Sequence, residues 1–288
     1  MTIFVSTSGF KNKKISEIIE ILVENNFKNL ELSGGSVYYD GVENDLIKLQ
    51  NKYDLHFQLH NYFPPPENDF VLNLSSNNDN IFNQSLSHYM KAIEISKKLG
   101  SKVYALHAGY LIDPDISELG KKINKKIFNN RSVGIERFVH GYKILKKSAG
   151  DNFDIFVENN VISNDNFRNF SYKNPLLFTN FKEYLELREK LDFKPLLDIA
   201  HLKVSCKTLN LNFLDEFNKI SKFTNYFHVS GNDGLSDSNE TICNDNNMIK
   251  IFENFNFDNK VITLEIYSGI EDIKKSYRYL NNLKSNLL

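Results

Sequence analysis

The chain has 288 residues, 41% of them hydrophobic and 13% aromatic, enough to bury one large core or two smaller ones. Its 35 Lys and Arg against 36 Asp and Glu leave a net charge of −1 with no long run of one sign, which disfavours nucleic acid as the main partner. No apolar stretch approaches the roughly 20 residues of a membrane span, and Met1 to Lys14 lacks the layout of a signal peptide, so a soluble, cytoplasmic protein is expected.

In chain order, Ile3 to Ser6 is the first short apolar run. Ile15 to Asn25 is the first amphipathic stretch, with Ile15, Ile18, Ile19, Leu22 and Val23 at helical spacing. Asn29 to Leu32 with Glu43 to Tyr53 repeats the pair, as do His56 to His60 with Tyr89 to Leu99 and Val103 to His107 with Ile135 to Lys147. Asp154 to Glu158 and Phe181 to Leu191 come next, then Pro195 to Asp198 and Phe213 to Phe223, and then Tyr226 to His228 and Met248 to Phe255. Val261 to Glu265 and Ile270 to Leu283 close the series.

Strands alternating with helices argue for βα units and a parallel sheet. Eight such units without a linker or composition shift predict one α/β domain over 1–288, a (β/α)8 TIM barrel, for which ~250 residues is typical. An open doubly wound sheet is the alternative, but its Gly-rich first turn is missing, since Ser6-Thr-Ser-Gly9 is not the dinucleotide fingerprint.

The ionisable residues carry the functional signal. His60, His107, Glu158, Asp198, His228 and Glu265 each stand at the last position of an otherwise apolar run. In a parallel barrel all strand C-termini open onto one face, so these residues converge there. Three carboxylates in one mouth repel one another and raise each other's pKa unless a cation neutralises them, and imidazole with carboxylate suits zinc, manganese, cobalt or iron. A metal centre is the economical explanation.

Several segments resemble the xylose isomerase-like TIM barrels, a family of sugar isomerases and epimerases together with endonuclease IV-type apurinic endonucleases. They are Leu59-His-Asn-Tyr62, Val71-Leu-Asn-Leu-Ser75, Leu106-His-Ala-Gly-Tyr110, Phe156-Val-Glu-Asn-Asn160, Leu197-Asp-Ile-Ala-His201, Phe227-His-Val-Ser230 and Thr263-Leu-Glu-Ile266. The resemblance implies that Glu158, Asp198, His228 and Glu265 hold a divalent metal such as Zn, Mn or Co. It implies that His60 and His107, as in the endonuclease branch, add a second ion bridged by Glu158, so one or two ions are expected. It also gives His201 a role in binding substrate or a further metal. The endonuclease branch would show Asp-x-His after the seventh strand, whereas Asp237-Ser-Asn239 puts a carboxamide in place of that imidazole.

Two enzymatic readings follow, and a catalytically silent barrel trails them. A metal-dependent sugar or sugar-phosphate isomerase or epimerase would stabilise an enediolate, with Glu158 and Glu265 as acid and base and His201 beside them. An endonuclease IV-type phosphodiesterase would activate water with clustered metals. Neutral charge and Asn239 favour a small sugar as partner, while His60 and His107 favour the phosphodiesterase. Further substrate contacts are expected from Asp237, Lys203 and Arg168, and Lys203 with Lys207 reads either as a phosphate contact or as a pair of solvated charges.

Other features read as structural. Cys206 and Cys243 have no CxxC spacing and read as free thiols. His56, His88 and His140 read as structural or solvent-facing, and Pro64 to Pro66 as a stiffened loop. The segment from Val161 to Pro175, rich in Asn and aromatics, reads as a lid, a substrate contact or a disordered loop. The oligomeric state stays open.

Overall fold

The computed structural model describes residues 1–124 and 126–285. Eight strands are present: β1 (Thr2–Ser6), β2 (Asn29–Leu32), β3 (His56–His60), β4 (Val103–His107), β5 (Asp154–Glu158), β6 (Lys194–Asp198), β7 (Tyr226–Val229) and β8 (Val261–Leu264). Each pairs in parallel with the next, and β8 pairs with β1, closing the barrel. This is the expected (β/α)8 TIM barrel, and closure removes the open doubly wound sheet from consideration.

Among the described residues ten α-helices accompany the strands: α1 (Ile15–Glu24), α2 (Val42–Tyr53), α3 (Asp79–Lys98), α4 (Arg131–Ala149), α5 (Asn164–Asn169), α6 (Phe181–Arg188), α7 (Ile199–Leu209), α8 (Phe213–Ile220), α9 (Asn246–Asn254) and α10 (Ile270–Ser285). In α1 the apolar stripe Ile15, Ile18, Ile19 and Leu22 is fully buried, each side chain contributing about 1.5–3 kcal/mol. The Glu17 carboxylate starts that helix by accepting from the Lys14 N–H at 3.0 Å.

Successive side chains on a strand face opposite ways. One face of each strand, including Leu30, Leu32, Phe57, Leu59, Leu106, Val157, Phe227 and Leu264, packs in the large core shared with the helices. The other face points into the barrel, where Ala105, Phe156, Leu196 and Tyr226 form a separate apolar cluster flanked by Val103 and Val261. The ionisable strand-end residues lie on this inner face, two positions further along.

Two elements depart from the expected boundaries. α3 starts at Asp79 rather than near Tyr89, because the Asn78 side chain caps it by accepting from Asn80 N. α7 was not expected. Asp198 ends β6 and at once caps α7, its Oδ1 accepting from His201 N at 2.7 Å, so His201 lies in a first helical turn rather than a free loop.

The Val161 to Pro175 segment is ordered by its neighbour, the connection after β4. Tyr110 and Leu176 form an antiparallel bridge. Leu111 N donates to Pro175 O at 2.7 Å, and the Asn166 and Asn169 amides donate to Lys121 O and Ile123 O at 3.0 and 2.6 Å. Pro64 and Pro65 are buried in the connection after β3. After β7, Gly231 and Glu240 exchange two backbone bonds of 2.8 Å, a turn-back that brings Asp237 and Asn239 toward the mouth. A Cβ at Gly231 would meet Thr241 O at 2.4 Å, so the hairpin requires glycine there.

Candidate metal centre

Glu158, at the end of β5, sits at the centre of the mouth and is fully buried. Its Oε2 lies 2.6 Å from His60 Nε2 and 3.2 Å from His107 Nδ1. Its Oε1 lies 3.4 Å from His228 Nδ1 and 3.6 Å from His201 Nδ1. Parallel register does this: His107 pairs with Glu158 and Asp198 with His228, so residues distant in sequence end level with one another. Glu265, one residue past β8, reaches His228 Nδ1 with Oε2 at 3.1 Å. Its Oε1 accepts from Ser8 Oγ at 2.9 Å and from Tyr267 OH at 3.0 Å.

Potential ligand atoms of three sets lie within 4.8 Å of one another: Glu158, Asp198, His228 and Glu265; His60, Glu158 and His228; and His107, Glu158 and His201. Glu158 belongs to all three, the position a bridging carboxylate would take. In the third set His201 Nδ1 has to donate to the Asn159 carbonyl at 2.9 Å, which leaves Nε2 to face Asp237 Oδ2 at 3.2 Å and Asp198 Oδ2 at 3.8 Å. We therefore group His201 with Asp237 rather than with His107.

The electrostatics follow from burial and crowding. Burial alone would raise Glu158, but the imidazoles of His107, His60 and His228 hold it well below the usual carboxylate range. Burial likewise opposes ionisation of Glu265, yet the hydrogen bond and charge of His228 bring it down to about 2. Asp198 is pushed up to about 7, first by burial, with the charges of Glu158 and Asp237 adding and His201 opposing. His201 and His228 are held well above the ordinary histidine value by facing carboxylates, against their burial. His107 is lowered to about 4 by burial, although a fifth of its side chain meets the open mouth.

The donor set fits a divalent cation. Glu158 Oε1 and Asp198 Oδ2 are buried without a hydrogen-bond partner, a cost that coordination removes. Protons on His201 and His228 meanwhile supply positive charge at the place where an ion would.

The remaining candidates are placed as follows. Asp237 is joined to the cluster through His201, and Asn239 Nδ2 donates to its Oδ2 at 3.1 Å while Asn239 Oδ1 accepts from Ser230 Oγ at 2.9 Å. Lys203 does not offer the free ammonium expected of a phosphate contact, because it pairs with the buried Asp245 at 2.6 Å and donates to Asn232 O. Lys207 donates to Asp233 O at 3.2 Å. Arg168 stands exposed on α5. His56 is exposed at the start of β3, His88 is buried edge-on to Phe70, and His140 stacks on Phe82.

Several contributors were not anticipated from sequence. Asn159 clamps Asp198, accepting from its N–H at 2.7 Å and donating to its carbonyl at 3.0 Å. Ser8 and Tyr267 orient Glu265. Glu31, in the middle of β2, reaches His228 Nε2 with Oε1 at 2.9 Å. Its one signal was a charge between two leucines in a short strand.

A closed parallel barrel with carboxylates and imidazoles converging on its strand C-termini defines a class of (β/α)8 proteins, whose characterised enzymes have their active sites at that end. The chain belongs to the xylose isomerase-like TIM barrel family, whose model matches residues 17–283. An uncharacterized protein of Methanocaldococcus jannaschii is 30% identical over 264 residues, 91% of this chain and 89% of that protein. Among solved structures, a D-tagatose 3-epimerase-like protein superposes with a TM-score of 0.73 at 20% identity, over 99% of this chain and 97% of that one. Endonuclease IV from Thermus thermophilus gives a TM-score of 0.63 at 14% identity, over 99% and 100% of the two chains. At these identities the two structures show the shared fold. No helix among the described residues is long and apolar enough to cross a membrane.

Proposed function

We propose that this protein is a divalent-metal-dependent isomerase or epimerase of a small sugar. The carrying observation is the pair Glu158 and Glu265, two buried carboxylates from different strands that share His228 and are both held ionised. Glu158, Asp198, His228 and Glu265 would hold the ion, with His60 and His107 beside Glu158 for a second. When bound, the ion supplies positive charge for the oxygens of a hydroxy-carbonyl sugar. Ionised carboxylates are bases, and one of the pair takes the proton from the carbon next to the carbonyl. Return of a proton to that carbon from the other face inverts it, and return to the neighbouring carbon isomerises the sugar. Ser8 and Tyr267 fix the Glu265 carboxylate through its other oxygen, which lowers the cost of orienting it. His201 Nε2, and the buried Asp237 Oδ1 that has no hydrogen-bond partner, suit a substrate hydroxyl.

The phosphodiesterase reading draws on His60 and His107 facing Glu158. Asn239 counts against it, since both ends of its amide are already hydrogen-bonded and a carboxamide is a poor ligand beside an imidazole. The test incubates metal-loaded protein with a panel of ketoses in deuterated water. Epimerised or isomerised sugar carrying deuterium at the reacting carbon is expected, with loss on chelation, recovery on re-addition of metal and no cleavage of abasic duplex DNA. Cleavage of that DNA tracking the occupancy of three zinc ions would overturn the reading.

A further inference from the structure

We infer that Glu31 is the positioning residue of the metal centre: its carboxylate, in ion-pair contact with His228 Nε2 at 2.9 Å, holds that edge of the ring so that Nδ1 faces Glu158 and Glu265. The inference rests on the metal reading above and assigns a role to a residue outside all three candidate ligand sets.

A histidine can present either ring nitrogen to a cation, and what the other nitrogen bonds decides which. His228 is fully buried, so its ring must find partners within the protein. Nε2 lies 2.9 Å from Glu31 Oε1, while Nδ1 lies 3.1 Å from Glu265 Oε2 and 3.4 Å from Glu158 Oε1. An ionised Glu31 carries no proton donor, so its charge beside Nε2 favours a proton on that nitrogen. Nδ1, which meets Glu265 and Glu158, is then the nitrogen an ion would take in place of a proton.

Glu31 is itself fixed in place. Its Oε2 accepts from Thr263 Oγ1 at 2.9 Å and from Tyr226 OH, and the whole residue is buried. Among the described residues His228 is the one basic side chain within ion-pair distance of it. A carboxylate buried this deeply is expensive unless paired. Tyr226 and Thr263 belong to β7 and β8 and face the same interior, so β2, β7 and β8 are tied together just beneath the mouth. Three strands thus specify the angle of one imidazole. A residue serving the fold alone would need no charge at this place, since the apolar cluster of Ala105, Phe156, Leu196 and Tyr226 fills the barrel immediately below.

The test uses the full chain and compares wild type with Glu31→Gln and Glu31→Leu. In chelated, 15N-histidine-labelled protein, an Nε2 proton assigned by its disappearance in His228→Gln is expected in wild type and lost in Glu31→Leu. Zinc and cobalt(II) titrations should then show affinity weakened about 10- to 100-fold in Glu31→Leu, the usual cost of losing an outer partner, and partly restored in Glu31→Gln. The cobalt(II) absorption bands should shift as the ring reorients. A purely structural role predicts a lower melting temperature for both chelated variants with wild-type affinity in the folded fraction. That result, or the absence of the Nε2 proton in wild type, overturns the inference and leaves the proposed function standing. A wild-type protein that binds neither ion overturns both.

Discussion

Phe156 and Glu158 point the same way from β5, two residues apart, yet one lies in a dry apolar layer and the other at the centre of a charged mouth. The same step separates Ala105 from His107, Leu196 from Asp198 and Tyr226 from His228. Below, the inner face is filled by side chains that interlock and need no partners. Above, it holds groups whose burial costs several kcal/mol each unless another charge or an ion meets them. The contrast teaches that the strand is a carrier with two registers: its lower inner positions close the barrel, and its last ones hold ionisable groups at the expense of packing.

Breaking the upper layer should have the largest effect. Glu158→Gln keeps the volume and removes the charge shared by four imidazoles, so turnover of the sugar should fall by about 10²- to 10⁴-fold, with metal binding reduced alongside. Steady-state kinetics and metal analysis of the same preparation check this. Breaking the lower layer should do the reverse. Phe156→Ala opens a cavity and should cost about 3–5 kcal/mol in urea unfolding while leaving the metal affinity of the folded fraction unchanged.

The third prediction sharpens the comparison through pH. Asp198 titrates near 7 because burial and its carboxylate neighbours disfavour the charge, and it must lose its proton to ligate. Metal affinity should therefore fall as pH drops below 7, by about tenfold per unit for that proton alone, and more steeply where the His228 proton is displaced too. Above that range the Asp198 contribution levels off. Calorimetric metal titrations across neutral pH check the sign, and an affinity flat through pH 7 would contradict it.

Much of this was legible in the sequence because period two is easy to read when it is broken. Apolar runs ending in His, Asp or Glu marked both the strands and the mouth, and closure of the barrel brought those ends together. What escaped notice did so for local reasons. α7 was hidden because Asp198 finishes a strand and caps a helix in one residue, leaving no loop to signal the change. The start of α3 was masked by an Asn-rich stretch in which Asn78 is in fact the cap. Lys203 read either as a phosphate contact or as a solvated charge, and only the three-dimensional arrangement reveals Asp245 beside it. Glu31 sits between Leu30 and Leu32, an alternation that also describes a half-exposed strand, and burial on both faces is a property of the closed barrel rather than of the tetrapeptide.

The tie between the connections after β4 and β5 bears on how anything enters the mouth. The Tyr110–Leu176 bridge and the Asn160, Asn166 and Asn169 amides, donating to Ala108 O, Lys121 O and Ile123 O, stitch the two segments together, so neither can swing out while the other stays behind. That side of the rim is a wall and not a door.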